Sequence, residues 1–77
     1  MNAPQTLIKI GNDDDFIVFD TNLNEIDIDT IRRQWLEAKN AHPAWDRYDL
    51  IGELIEDRLP KFGLQGTYLC ARDVVLN

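Results

Sequence analysis

Residues 6–20 read TLIKIGNDDDFIVFD. Two runs rich in β-branched and aromatic residues, at 6–10 and 15–20, flank the turn-forming tetrapeptide GNDD. Such runs around a short polar loop predict a β-hairpin over 6–20. The apolar residues are nearly continuous rather than alternating, so we expect both faces of this hairpin to be covered, by helices or by a partner.

Two helices are predicted after the hairpin. The first extends over 29–42, because Asp29 or Thr30 can cap its start and Pro43 ends it. The second extends over 46–59, with Asp46 as its N-cap and Pro60 as its end. Apolar stripes at helical spacing run along both: Ile28, Ile31, Trp35, Ala38 and His42 in the first, and Leu50, Ile51, Leu54, Ile55 and Leu59 in the second.

Residues 66–76 predict a C-terminal strand with an irregularity at Asp73, or two short strands. The order ββααβ indicates an α+β fold, a three-stranded antiparallel sheet covered on one face by two helices, with a small helical bundle as the competing interpretation. A length of 77 residues allows one domain, in which 1–5 form a flexible N-terminus. The expected core consists of Ile8, Phe16, Val18, Ile31, Trp35, Leu50, Leu54, Ile55 and Leu69.

The net charge of −6 is unevenly distributed. Residues 1–29 hold seven acids and one base, whereas 30–77 hold seven of each, so the whole excess lies in the first part of the chain. Direct binding to nucleic acid or to an anionic membrane surface is therefore not expected, since both need basic residues. Acids in this number attract a basic protein surface, or they serve only to keep a small domain soluble.

The inventory of reactive side chains argues against an enzyme. The chain has no serine, one cysteine (Cys70) and one histidine (His42), and we expect both to have packing roles. Its glycines lack phosphate-binding spacing, and a calcium loop starting at Asp20 fails because Ile31 stands at its twelfth position, so no cofactor or metal is expected. A lone thiol, with no signal peptide or membrane-spanning run, is typical of a cytoplasmic protein.

The second predicted helix carries a stripe of acids opposite its apolar face. Repulsion within the stripe costs about 0.2–0.5 kcal/mol for each i,i+4 pair, and two of the acids lie at the unfavourable end of the helix dipole. They pair either with bases of the first helix (Arg32, Arg33, Lys39) or with a basic partner. The acids are Asp46, Asp49, Glu53, Glu56 and Asp57.

These patterns predict a small acidic, non-enzymatic interaction module whose partner is a basic protein surface. By analogy of size and charge with phage- and plasmid-encoded inhibitors, such a module can inhibit a basic nucleic-acid-binding protein by presenting carboxylates where phosphates would lie. The alternative is a structural subunit that forms a homodimer or larger homo-oligomer through its C-terminal edge strand. Arg58, which projects within the apolar arc, packs by its stem or contacts the partner. The predicted partner-binding residues are Asp13, Asp14, Asp15, Asp20, Glu25, Asp27, Trp45, Tyr48, Glu53, Asp57 and Arg58.

Overall fold

The computed structural model describes residues 5–73, except for the side chain of Asp73. Its elements are, in order, β1 (Thr6–Lys9), β2 (Asp15–Phe19), α1 (Glu25–Ala41), α2 (Arg47–Glu53), a π-helical turn (Leu54–Arg58), a 3₁₀ turn (Leu59–Phe62), β3 (Gly66–Cys70) and a last 3₁₀ turn (Ala71–Asp73). The predicted α+β class and ββααβ order are confirmed. The end of the predicted C-terminal strand, 74–76, and most of the predicted flexible N-terminus lie outside the described residues.

The sheet has β2 at its centre and β1 and β3 as its antiparallel neighbours. Because strand residues point alternately to the two faces, the register separates an inner face from an outer one. The inner face carries Ile8, Ile17 and Phe19, which are buried. The outer face carries Leu7, Lys9, Phe16, Val18, Thr67 and Leu69.

Three core predictions on the outer face are wrong. Phe16, Val18 and Leu69 are only half-buried, whereas Ile17 and Phe19 between them point to the helices. In a nearly continuous apolar run, the sequence does not reveal which alternate residues face the helices. The prediction therefore placed the wrong alternate residues of β2 in the core.

Helix α1 begins at Glu25, four residues before the predicted start. Asn24 is the N-cap, since its Oδ1 accepts a hydrogen bond from the amide of Asp27 at 2.8 Å. Glu25 and Asp27 therefore lie in the first turn, where negative charge interacts favourably with the helix dipole. The helix ends at Ala41, before Pro43, as the sequence predicts.

The second helical segment starts as predicted and ends later. Asp46 caps α2 by accepting from the amide of Asp49 at 2.9 Å. Pro60 has no N–H and does not fit a regular α-helix, so the chain first widens into the π turn and then tightens into the 3₁₀ turn. The segment stops only at Gly63, which has φ of +75°.

The core fills the space between the inner face of the sheet and the two helices. Trp35 is 8% exposed and belongs to it, as do the predicted residues Ile8, Ile31, Leu50 and Leu54, whereas Ile55 is only partly buried. Gly66 is also part of this packing, because a Cβ there would collide with the side chains of Ile17 and Phe19. The remaining buried apolar residues are Ile10, Ile17, Phe19, Ala38, Ile51, Leu59, Leu64 and Cys70.

Candidate functional site

A groove of about 350 Å³ lies between the second helical segment and β3. Ile51 and Ile55 form its helical side, and Thr67 and Tyr68 form its strand side. Tyr48, Gly52, Glu56 and Gly66 complete the lining. We call this surface the apolar groove.

A second concavity of about 300 Å³ adjoins the first. The two share Tyr48, Gly52 and Glu56, so they form one continuous surface that passes over Gly52. We call the second part the acidic hollow, since four carboxylates contribute to its lining. Its residues besides the shared three are Trp45, Asp49, Glu53 and Asp57.

Tyr48 stands at the junction and is held from two sides, although it is 51% exposed. The guanidinium of Arg47 lies 4.7 Å from the centre of its ring, and an Arg47 nitrogen donates to its hydroxyl at 2.9 Å. The ring of Tyr68 meets Tyr48 edge-on with centroids 6.2 Å apart. The aromatic wall of the groove is therefore positioned before any partner arrives.

Tyr68 is in turn fixed by Asp15, which was predicted to bind a partner. The Tyr68 hydroxyl donates to Asp15 Oδ1 at 2.6 Å. This hydrogen bond, together with burial, raises the pKa of Tyr68 well above its ordinary value. Arg47 Nε lies 2.8 Å from Asp15 Oδ2, an ionic contact too bent for a well-aligned hydrogen bond. Asp15 is only 1% exposed, so it anchors the N-terminus of α2 to the sheet and does not contribute to the exposed acidic surface.

Trp45 forms the far wall of the acidic hollow and is 43% exposed. Its indole stacks on the imidazole of His42, with centroids 3.7 Å apart and planes 11° from parallel. His42 Nε2 lies 3.0 Å from Glu53 Oε1, so the end of α1 is joined to α2 through these side chains. Of the two tryptophans, Trp35 is the buried one and Trp45 the exposed one, as the sequence analysis implied.

Glu53 and Arg58, both predicted to contact a partner, contact each other. Arg58 Nε donates to Glu53 Oε2 at 3.0 Å, and its Nη1 donates to the side chain of Gln34 on α1 at 3.2 Å. The hydrogen bond from Arg58 is the main cause that lowers the pKa of Glu53, and the nearby imidazole of His42 acts in the same direction. These two residues therefore stabilise the contact between the helices.

Asp49, Glu56 and Asp57 are exposed, and within 5–73 no cationic group lies within 4.0 Å of them. The predicted pairing of these acids with Arg32, Arg33 or Lys39 is absent from that part of the chain. Lys39 instead places its ammonium 5.6 Å from the ring centre of Trp35. The carboxylates of the acidic hollow, apart from Glu53, are thus left without a counter-charge by the described residues.

The acids of 13–29 are separated by the fold and have different roles. Asp13 pairs with Lys9 at 3.2 Å and Asp14 contacts Arg72 at 3.6 Å. Glu25 and Asp27 lie in the first turn of α1, and Asp20 is exposed after β2. Most of the acids in this part of the chain therefore have a local structural role.

Cys70 is buried, and among residues 5–73 no cluster of three metal-ligating side chains is present. No helix in the same part of the chain has the length and apolar character needed to cross a membrane. Comparisons with known proteins give no match: no protein-family model, no curated protein and no solved structure is similar to this chain.

The sequence analysis selected Trp45, Tyr48, Glu53 and Asp57 among the residues of this surface, but it missed the strand side of the groove. Thr67 and Tyr68 border the groove opposite the helix through non-local packing, which no sequence signal indicates. Gly52 did carry a signal, because glycine inside a helix is unfavourable and calls for an explanation.

Proposed function

We propose that this chain is a small acidic, non-enzymatic module that binds a basic surface of a partner protein. One observation carries the proposal: exposed aromatic rings, Tyr48 and Trp45, adjoin exposed carboxylates that lack a counter-charge within 5–73, around a single continuous concavity. Tyrosine and tryptophan are enriched among the residues that dominate protein interfaces.

The charges in the hollow favour a cationic partner on energetic grounds. Asp49, Glu56 and Asp57 line one concavity and have no counter-charge within 4.0 Å among residues 5–73, so the free chain bears their mutual repulsion. A basic partner neutralises the repulsion, and long-range attraction increases the association rate at low salt.

An inhibitory role is the finer form of this proposal. A surface of spaced carboxylates can occupy a protein groove that otherwise holds phosphates, and so compete with nucleic acid. Small acidic inhibitors encoded by phages and other mobile elements act on cytoplasmic targets in this way, and the analogy rests on size and charge alone.

The test uses two triple variants of the full chain, each losing three negative charges. The groove variant carries Asp49→Asn, Glu56→Gln and Asp57→Asn, and the matched control carries Asp13→Asn, Asp20→Asn and Asp29→Asn. Proteins captured from a lysate at low salt are identified, purified and titrated with the wild type and both variants. We expect basic partners that bind the control well and the groove variant at least about tenfold more weakly, with nucleic acid as a competitor. Equal binding of the two variants would contradict the assigned surface, and partners without a basic patch would contradict the function.

A homo-oligomeric structural subunit is the second candidate function. The outer face of the sheet favours it, because the paired residues of β1, β2 and β3 present apolar side chains from all three strands there and no acid. In a chain with net charge −6, two copies meet with least repulsion on a face whose paired strand residues include Lys9 as their one charged side chain.

A further inference from the structure

The described residues, 5–73, give no packing reason for Gly52 to be a glycine. It lies inside α2, where glycine costs about 0.5–1 kcal/mol relative to alanine. A Cβ built at Gly52 meets no atom of residues 5–73 within 4 Å, whereas one at Gly66 collides with the core. Internal packing therefore accounts for Gly66 and leaves Gly52 unexplained.

The position of Gly52 suggests what its missing side chain permits. It is shared by the apolar groove and the acidic hollow, with Tyr48 on one side and Glu56 on the other. A side chain at this point would form a ridge between the two concavities. Without one, a single peptide segment can lie across the helix backbone and enter both.

The two concavities differ in the chemistry that they accept. The groove is lined mainly by Ile51, Ile55 and the ring of Tyr68, and its 350 Å³ lies at the lower end of the range for ligand pockets. It therefore suits one aliphatic or aromatic side chain. The hollow offers the carboxylates of Asp49 and Asp57 together with the indole of Trp45, which are suitable partners for a lysine or arginine.

We infer that the apolar groove and the acidic hollow together bind one basic peptide segment of a partner protein, with an apolar anchor in the groove and a neighbouring lysine or arginine in the hollow. The inference rests on the proposed function and specifies the partner's chemistry. The π turn at Leu54–Arg58 supports it, since such turns are frequent at functional sites and this one includes Ile55, Glu56 and Asp57.

The probe is a capped synthetic peptide in which one leucine is flanked on each side by a lysine and an arginine. One control peptide has glycine in place of the leucine, and the other has glutamine in place of the basic residues. Each is titrated into the ¹⁵N-labelled full chain at about 20 mM salt, where charge attraction is weakly screened. We expect the probe to shift the amide signals of Gly52, Glu56, Thr67 and Tyr68, and each control peptide to bind at least about tenfold more weakly.

A substitution at Gly52 tests whether one peptide segment crosses this residue to enter both concavities. Gly52→Gln adds an uncharged side chain where the structure leaves open space, so the fold is retained. Ala41→Gln is the control, since it adds the same side chain at the exposed end of α1. We expect Gly52→Gln to weaken probe binding at least about tenfold, and Ala41→Gln to leave it unchanged.

The outcomes separate the inference from the proposed function. Equal binding of the probe and the leucine-free peptide, or probe-induced shifts confined to residues 13–29, would overturn the bipartite site while leaving an acidic module that binds basic proteins. Signals of Gly52 and Thr67 that shift on dilution without peptide would show a second copy in the groove and would also overturn it. Failure of both cationic peptides to bind at low salt would contradict the inference and the proposed function together.

Discussion

Arg58 and Glu53 lie five residues apart, yet Arg58 Nε donates to Glu53 Oε2 at 3.0 Å. On a regular α-helix, side chains at this spacing point about 140° apart. The π turn at Leu54–Arg58 has more residues per turn, which brings the two side chains to one side of the helix. The ion pair therefore depends on the π turn, which immediately precedes the 3₁₀ turn that contains Pro60.

The lowered pKa of Glu53 predicts a pH-dependent contribution to stability. Its folded-state pKa lies below the ordinary 4.5, because Arg58 and His42 favour the ionised form. A group with a lowered folded pKa stabilises the protein above its unfolded pKa, and that contribution is lost as the pH falls through the folded value. We expect Glu53→Gln to reduce the free energy of unfolding at pH 7, and the difference from the wild type to shrink toward zero below about pH 4.

Urea denaturation of both proteins between neutral and acidic pH measures this difference. Asp20→Asn, which changes an exposed acid outside these contacts, provides the comparison and should differ little from the wild type at any pH. A Glu53→Gln difference that stays constant from pH 7 to pH 3 would show that the ionic contact with Arg58 contributes nothing to stability.

The two glycines that border the groove should respond in opposite directions to alanine. Gly66→Ala places a methyl group against Ile17 and Phe19 and should cost about 1–3 kcal/mol of unfolding free energy. Gly52→Ala meets open space inside a helix and should stabilise by about 0.5–1 kcal/mol. Urea midpoints of both variants decide the matter, and a destabilised Gly52→Ala would point to an internal role for that glycine.

The two tryptophans provide a matched test of the core. Trp35→Ala removes a side chain that is 8% exposed and should cost about 3–5 kcal/mol, enough to unfold a domain of this size. Trp45→Ala removes one that is 43% exposed and should leave a cooperative fold. Thermal melts followed by far-UV circular dichroism distinguish the two variants. A Trp35→Ala variant that is folded at 25 °C and melts cooperatively would show that Trp35 is not part of the core.

Local sequence signals predict the elements well because each depends on neighbours in the chain. The turn residues between two apolar runs and the N-cap at Asp46 specify the hairpin and the start of α2. The start of α1 is ambiguous on the same principle, since Asn24, Asp29 and Thr30 are all acceptable N-caps and the structure uses the first.

Non-local contacts explain what sequence reasoning missed. The burial of Asp15 depends on Arg47 and Tyr68, which are distant in sequence, so the sequence predicts a partner-binding acid where the structure has a buried one. The sequence pattern places Glu53 in an acidic stripe and Arg58 in the apolar arc, and it does not reveal that the two side chains contact each other. The helical half of the site was predictable from the aromatic and acidic residues of the second helical segment and the residues just before it. The strand half was not predictable, because only tertiary packing brings β3 to that segment.

Self-association through the outer face of the sheet is expected if the homo-oligomeric alternative holds. Leu7 is 52% exposed and pairs in register with Val18 of the central strand. Leu7→Lys should convert a dimer at high micromolar concentration to a monomer without unfolding it, since the residue is already half exposed. Sedimentation of the two proteins measures this, with Leu36→Lys, an exposed position on α1, as control. A wild type that is monomeric at this concentration would refute the alternative.

Glu56 should show a conflict between stability and binding. Glu53 stands three residues before it, so Glu56→Lys replaces repulsion between two acids by attraction. We expect this variant to gain about 0.2–0.5 kcal/mol of unfolding free energy. Binding of the leucine-containing basic peptide should fall at least about tenfold, because Glu56 is shared by the apolar groove and the acidic hollow. Asp20→Lys makes the same charge change outside this surface and should weaken binding far less. If both variants bind equally, the peptide senses only the summed charge of the chain, and the acids of the hollow have no special role.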